Sequence, residues 1–259
     1  MDYPEIQRVE YRGEHWAGSQ PHPALWELLS GKDQLIVLCS GKPPYRVTLG
    51  VPHQAAAGHN HISERRVKDN GEPNPRDADE NAALYALVAF DALWAENISC
   101  KLVIMAHATT HDPNKKLDSP YCREIFSGPT ALLFECHGAG RSRPPLELSA
   151  GSNLLTDTVG FGRALACALN YQYPLSIQKR GGADAAIILS VGGAENEGVL
   201  KLAATRTQSL SEAGRLGIPA LHLEAQPVFR KPPDGSNSLT ETGRTLGIAI
   251  ARAVKSYPV

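Results

Sequence analysis

The chain has 259 residues, 42% of them hydrophobic and 20% charged, enough to build a sizeable core and incompatible with a disordered chain. Lys and Arg total 26 against 27 Asp and Glu, a formal net charge of −1, so nothing electrostatic points to nucleic acid or an anionic membrane surface as partner. No apolar run approaches the roughly 20 residues of a membrane helix, and the charged start MDYPEIQRVEYRGEHW lacks the apolar stretch of a signal peptide, so a cytoplasmic protein is expected.

Short apolar runs alternate with helical patterns along the chain. DQLIVLCSG (33–41) and YRVTLGV (45–51) read as strands. Residues 79–96 read as a helix with Asp79 as its N-cap, because Leu84, Leu87, Val88, Asp91 and Trp94 follow at steps of three and four. Residues 101–108 and 131–138 are strands, 158–169 a helix, and 173–178, 185–191 and 199–205 strands. A helix at 206–217 ends at Gly217, a strand covers 218–226, and a Ser/Thr cluster opens the closing helix at 238–254. Strands separated by helices, most of them apolar all round, imply an α/β fold. We expect one three-layer domain over 1–259, with a mixed, largely parallel sheet covered by helices on both faces. The proline-rich stretches 70–76, 112–120, 141–145 and 227–234 read as loops within it.

Five cysteines, Cys39, Cys100, Cys122, Cys136 and Cys167, are odd in number and form no CxxC. They read as reduced, mostly buried thiols, which argues against a thiolate zinc site. The histidines are more informative. In open α/β sheets ligands bind beyond the carboxyl ends of strands, and four reactive groups fall there: Pro52-His53, His107 with the loop ATTHDPNK, His137-Gly138, and Glu224. Imidazoles and a carboxylate at one sheet edge are what a hydrolytic zinc site needs.

Each of these residues has a plainer reading. A histidine after a strand can simply bond backbone groups, and an N-cap explains Asp79 equally well. His61-Ile62-Ser63-Glu64 forms an HxxE, a pattern short enough to arise by chance. His222 and Glu224 alternate on a strand and so share a face. Cys136 beside His137 suggests a cysteine nucleophile, but neighbours on a strand point to opposite faces, which places Cys136 in the core. Arg180, ahead of Gly181-Gly182, is either a bidentate carboxylate clamp or an exposed loop arginine.

The order of these motifs resembles that of the N-formylglutamate amidohydrolases, relatives of the zinc carboxypeptidases and aspartoacylase-type deacylases. Pro52-His53, Asp77-Ala78-Asp79 entering a helix with Tyr85, Asp112-Pro113-Asn114-Lys115, ALLFEC-His137-Gly138, Arg180-Gly181-Gly182 and Leu223-Glu224 follow the family's sequence of motifs over residues 45–226. The resemblance implies a phosphorylase/hydrolase-like fold and a zinc-dependent amidohydrolase with one Zn²⁺ per chain. It implies His53 and His137 as imidazole ligands and Asp79 as the acidic ligand, with Glu64 and Glu80 as alternatives because carboxypeptidases draw their acid from an HxxE. Glu224 then resembles the carboxylate that takes the proton of the attacking water. Arg180 is the electrophile or carboxylate clamp, and His107, His111 and Asn114 line the pocket or orient the ligands. The family's Arg is Lys115 here, its Ser is Gly138 and its Lys is Arg180. With these departures the resemblance supports hydrolysis of a C–N amide bond, in a small carboxylate-bearing N-acyl amino acid or related amide, more strongly than it supports formylglutamate as the substrate. The rivals are a cysteine hydrolase using Cys136 or Cys122, and a silent metal- or carboxylate-binding protein of the same fold.

Overall fold

The computed structural model describes residues 6–31, 34–56, 79–106, 112–140, 144–173, 175–179, 187–191 and 207–258. In chain order these form β1 (Gln7–Glu10), β2 (Trp16–Ala17), β3 (Gln20–Pro21), α1 (Pro23–Ser30), β4 (Gln34–Ser40), β5 (Val47–Ala55), β6 (Asp79–Glu80), α2 (Ala82–Ala95), β7 (Cys100–Ala106), α3 (Pro120–Ile125), β8 (Leu133–Gly138) and β9 (Leu146–Ser149). There follow α4 (Thr158–Ala168), β10 (Leu175–Lys179), β11 (Ile187–Val191), α5 (Gln208–Arg215), β12 (Ala220–Ala225) and α6 (Glu241–Ser256). The strand expected at 199–205 lies outside the described residues.

The fold is α/β. One mixed sheet runs in the order β1-β4-β7-β5-β8-β12-β9-β11-β10, with β6 beside β5. Its centre, β7-β5-β8-β12, is parallel, while β4, β9, β11 and β10 join through antiparallel pairings. Helices cover both faces. Side chains of α1, α2, α4 and α6 share one apolar core with Val47, Leu49, Phe134, Cys136, Leu221 and Leu223. Tyr121, Cys122 and Ile125 of α3 and Leu210 and Ala213 of α5 pack on the other face against Val103 and Leu133. Along β8 the alternation sends Phe134 and Cys136 to the first face, which leaves Glu135 and His137 on the second. The site grows from that second face.

One proline-rich segment differs from the sequence expectation. The proline-rich stretch at 112–120 contains a 3-10 turn at Pro113–Lys115 and the start of α3. There the Ser119 hydroxyl accepts from Cys122 N at 3.0 Å and Pro120 takes the first helical position, the ordinary signals of a helix start. Of the five thiols, Cys100, Cys122 and Cys136 are buried, Cys39 and Cys167 are exposed, and all are free. Among the described residues no helix is long and apolar enough to cross a membrane.

Helix α2 is buried almost all round, and its approach to α6 is very close. A Cβ on Gly247 would lie 2.6 Å from Tyr85 O and from Val88 Cβ. In an exposed helix, Gly→Ala stabilises by about 1 kcal/mol. Here the contact is with a helix backbone that packs on the sheet and cannot easily retreat, and overpacking of this kind costs roughly 1–3 kcal/mol. Gly247→Ala should therefore lower stability in urea titration. A variant more stable than wild type would show that the two helices have room to spare.

Candidate metal centre

His53 reaches the site through an irregularity in β5. Between Val51 and Gln54 the strand advances three residues while β7 advances two, from Ile104 to Ala106. One extra residue of this kind is a β-bulge, and it moves later side chains to the other face. Without it His53 would share the apolar face of Val51. Pro52, which has no N–H to give the ladder, sits at the break. His53 thus lies within β5, near its carboxyl end, and not beyond it as the sequence suggested.

Asp79 is not the N-cap of α2. The helix begins at Ala82, and its N-cap is Asn81, with a left-handed φ of 58°. Gln54 of β5 does the capping work, its Oε1 accepting from Ala83 N at 2.8 Å. Asp79 is left to face the histidines. Its Oδ2 lies 3.3 Å from His53 Nδ1 and 3.1 Å from His137 Nδ1. Zinc bonds of about 2.0–2.1 Å arranged tetrahedrally put neighbouring ligand atoms about 3.3 Å apart, so two of the three edges of this triangle match such a site. The rings are edge-on, at 72° with centroids 4.9 Å apart, which lets their in-plane lone pairs converge.

Each imidazole is also held from behind. Asp112 Oδ1 lies 2.9 Å from His53 Nε2, and Lys115 Nζ donates to Asp112 Oδ2 at 2.5 Å. Asn114 sits 3.3 Å from His137 Nε2, with its Oδ1 buried and without a partner among the described residues. Turning that amide over puts Oδ1 against an Nε2–H and leaves His137 Nδ1 free to bind a cation. Tyr85 donates to the backbone oxygen of His137 at 2.9 Å. The charges follow from this packing. Burial opposes a charge on His53, yet Asp112 and Asp79 outweigh it and push the imidazole up to about 10. Burial would likewise raise Asp79, but His137 and His53 hold it well below the usual carboxylate range. Asp112 is held low against burial by His53 and Lys115. In the metal-free chain the two carboxylates are thus balanced by His53 and Lys115, and once His53 gives up its proton the donor set of His53, Asp79 and His137 fits a divalent cation.

A second buried group, Glu135, His137 and His222, does not fit one. His137 and His222 stack face to face, 3.8 Å apart and 11° from parallel, so their lone pairs run side by side and do not meet. This stack instead brings the neighbouring strand to the site. In the β8/β12 register Glu224 pairs with His137 and His222 with Glu135. His222 Nε2 lies 3.3 Å from Glu224 Oε1. Burial and the charge of His137 hold His222 below its usual range, so it stays a neutral imidazole. The Glu224 side chain is 13% exposed. Glu135 is fully buried and accepts from Tyr121 OH at 2.9 Å.

The structure therefore gathers His53, Asp79, His137 and Glu224 at one sheet edge, with Asn114 behind His137. Glu80, an alternative acid, is engaged with Lys231 Nζ. Arg180, His107, His111 and Glu64 lie outside the described residues. The sequence did not single out Asp112 as the partner of His53, although Asp112 lies in a motif it recognised. Burial pushes the Cys122 thiol up to about 12 and raises Cys136 further. Both are therefore thiols at neutral pH, which disfavours the cysteine-hydrolase alternative.

No family model matches the chain, and no curated protein matches its sequence. Among solved structures the chain is similar to an N-formylglutamate amidohydrolase from Ralstonia eutropha, at 11% identity over 85% of this chain and 97% of that one, with a TM-score of 0.48. It is also similar to a protein provisionally described as a carboxypeptidase from Burkholderia mallei, at 14% identity over 86% of this chain and 60% of that one, TM-score 0.47. A metallo-carboxypeptidase from Burkholderia cenocepacia gives 14% identity over 85% and 59%, TM-score 0.44. The chain thus spans 60% and 59% of the length of these two carboxypeptidase-type proteins.

The raised pKa of His53 predicts how chelator-stripped protein responds to pH. A group raised from 6.5 to about 10 contributes stability that is fully present below about 6.5 and is lost as pH rises through about 10. Denaturant titrations from about pH 6 to about pH 10 should show falling stability, and His53→Gln should flatten that slope. An unchanged slope in the variant would remove His53 as its source.

Proposed function

We propose that this chain is a zinc-dependent amidohydrolase that cleaves the C–N bond of a small carboxylate-bearing amide, an N-acyl amino acid or a related compound. The observation that carries the reading is the convergence of His53 Nδ1 and His137 Nδ1 on Asp79 Oδ2, beside a Glu224 that pairs with His137 in the sheet register. His53, Asp79 and His137 would hold one Zn²⁺ per chain. When bound, the ion supplies a Lewis acid that polarises a carbonyl and lowers the pKa of water to about 7.

The chain's own residues do the rest. Glu224 takes the proton of the attacking water and passes it to the departing nitrogen, a task for a partly exposed carboxylate held by a neutral His222. Asp112 and Asn114 orient the two imidazoles, with Asn114 behind a ligand rather than facing substrate. Arg180 and His107 keep the roles that motif order implies, as carboxylate clamp and as pocket lining.

Metal analysis of purified protein, followed by a screen of N-acyl amino acids, tests the proposal. Wild type should carry about one zinc per chain, and His53→Ala and His137→Ala should lose most of it. Glu224→Gln keeps shape but cannot accept a proton. It should retain zinc and fold while losing roughly 10²–10⁴-fold in turnover. Near wild-type turnover per zinc-loaded molecule would remove Glu224 from catalysis. Full zinc content in both histidine variants would show that the site is misplaced.

A further inference from the structure

Gly138 stands where the resembled family has a serine, and the space beside it is already taken. A Cβ on Gly138 would lie 2.4 Å from Arg230 Cζ and 2.7 and 2.8 Å from Nη1 and Nη2. Arg230 is 5% exposed, and its guanidinium is fixed by backbone oxygens. Nε donates to Ala225 O at 3.0 Å, Nη2 donates to Ala139 O at 3.1 Å, and Nη1 donates to Glu80 O. Among the described residues no carboxylate forms an ion pair with it.

The three carbonyls are not a random set. Glu80 follows Asp79, Ala225 follows Glu224, and Ala139 lies two residues past His137. They mark the ends of β6, β8 and β12. Strand β6 is two residues long and among the described residues pairs only with β5, so no ladder bond ties it directly to β8 or β12. One planar side chain spans that gap and bonds all three ends. A guanidinium offers five N–H donors in a rigid fork, and a lysine ammonium on a flexible stem does not reproduce that geometry.

We propose that Arg230 is the positioning residue of the metal centre. It sets the spacing of Asp79, His137 and Glu224 by tying their strand ends together, and residue 138 is glycine because the guanidinium fills the place of its side chain. This rests on the metal-centre reading above. A side chain at 138 must displace the guanidinium and break its bonds to all three carbonyls at once, so Gly138→Ala and Arg230→Lys are two routes to the same defect. Lysine retains the charge and loses the fork, which separates geometry from electrostatics.

The test is zinc affinity, by competition with a chromophoric chelator, alongside melting of the chelator-stripped proteins. Wild type, Gly138→Ala, Arg230→Lys and the double variant are compared. Both single variants should bind zinc roughly 10–100-fold more weakly, the range for groups that orient metal ligands. The metal-free forms should stay folded, and the double variant should be no worse than the weaker single, because both changes break one contact. If Arg230→Lys does not fold, Gly138→Ala, which keeps the arginine, decides the matter alone. Zinc affinity within about twofold of wild type in both singles would overturn the proposal, given the effect expected of such groups. So would losses that multiply in the double variant, or full retention of affinity by lysine alone. A wild-type chain that binds no divalent metal would sink the metal-centre reading as well, and that result is visible without any variant.

Discussion

The site depends on one carboxylate oxygen reaching two imidazoles that arrive from different strands. Asp79 Oδ2 lies within 3.3 Å of both Nδ1 atoms, and each of the three residues needs a separate device to get there. A bulge at Pro52 turns His53 onto the polar face of the sheet. Ordinary alternation along β8 delivers His137 to the same face. Asp79 is released from helix duty because Gln54 caps α2 and Asn81 takes the left-handed turn, its N–H bonding Ala55 O at 2.7 Å. An asparagine tolerates that conformation better than most residues.

The two faces of the sheet divide the labour. The face under α1, α2, α4 and α6 is apolar and supplies most of the core. The face under α3 and α5 mixes apolar packing with buried polar groups, among them Glu135, Glu147, His222 and Lys101. Buried polar groups cost stability unless they find partners. Lys101 finds Glu124 O at 2.7 Å, and Glu135 finds Tyr121, for which Gly50 makes room, since a Cβ there would meet the Tyr121 hydroxyl at 2.1 Å. Glu135 Oε2 and His222 Nδ1, 3.9 Å apart, find no hydrogen bond among the described residues. A face that tolerates such groups is organised around a site as much as around stability.

Much of this was legible in the sequence, because the strands are continuous apolar runs whose side-chain alternation can be counted. The strands at 34–40, 100–106, 133–138 and 220–225 and the helices at 158–168 and 241–256 lie where their patterns put them. His222 and Glu224 share a face, and Cys136 is core, for the same reason. What periodicity cannot show is a break in periodicity. The bulge at Pro52, the transfer of the cap from Asp79 to Gln54, and Arg230 reaching Glu80 and Ala139 all depend on residues distant in the chain. Asp112 had a signal, since it opens the Asp-Pro-Asn-Lys motif, but its role appears only once His53 is turned toward it. Nor does any motif show that the Arg230 guanidinium occupies the place a side chain at Gly138 would take.

X-ray absorption of the zinc-loaded protein, wild type against His53→Gln and His137→Gln, tests the central claim most directly. The account predicts an ion with two imidazole nitrogens at about 2.0–2.1 Å and a carboxylate oxygen in its shell, one imidazole being lost in each variant. A wild-type spectrum lacking two imidazoles, or variant spectra unchanged from wild type, would contradict it.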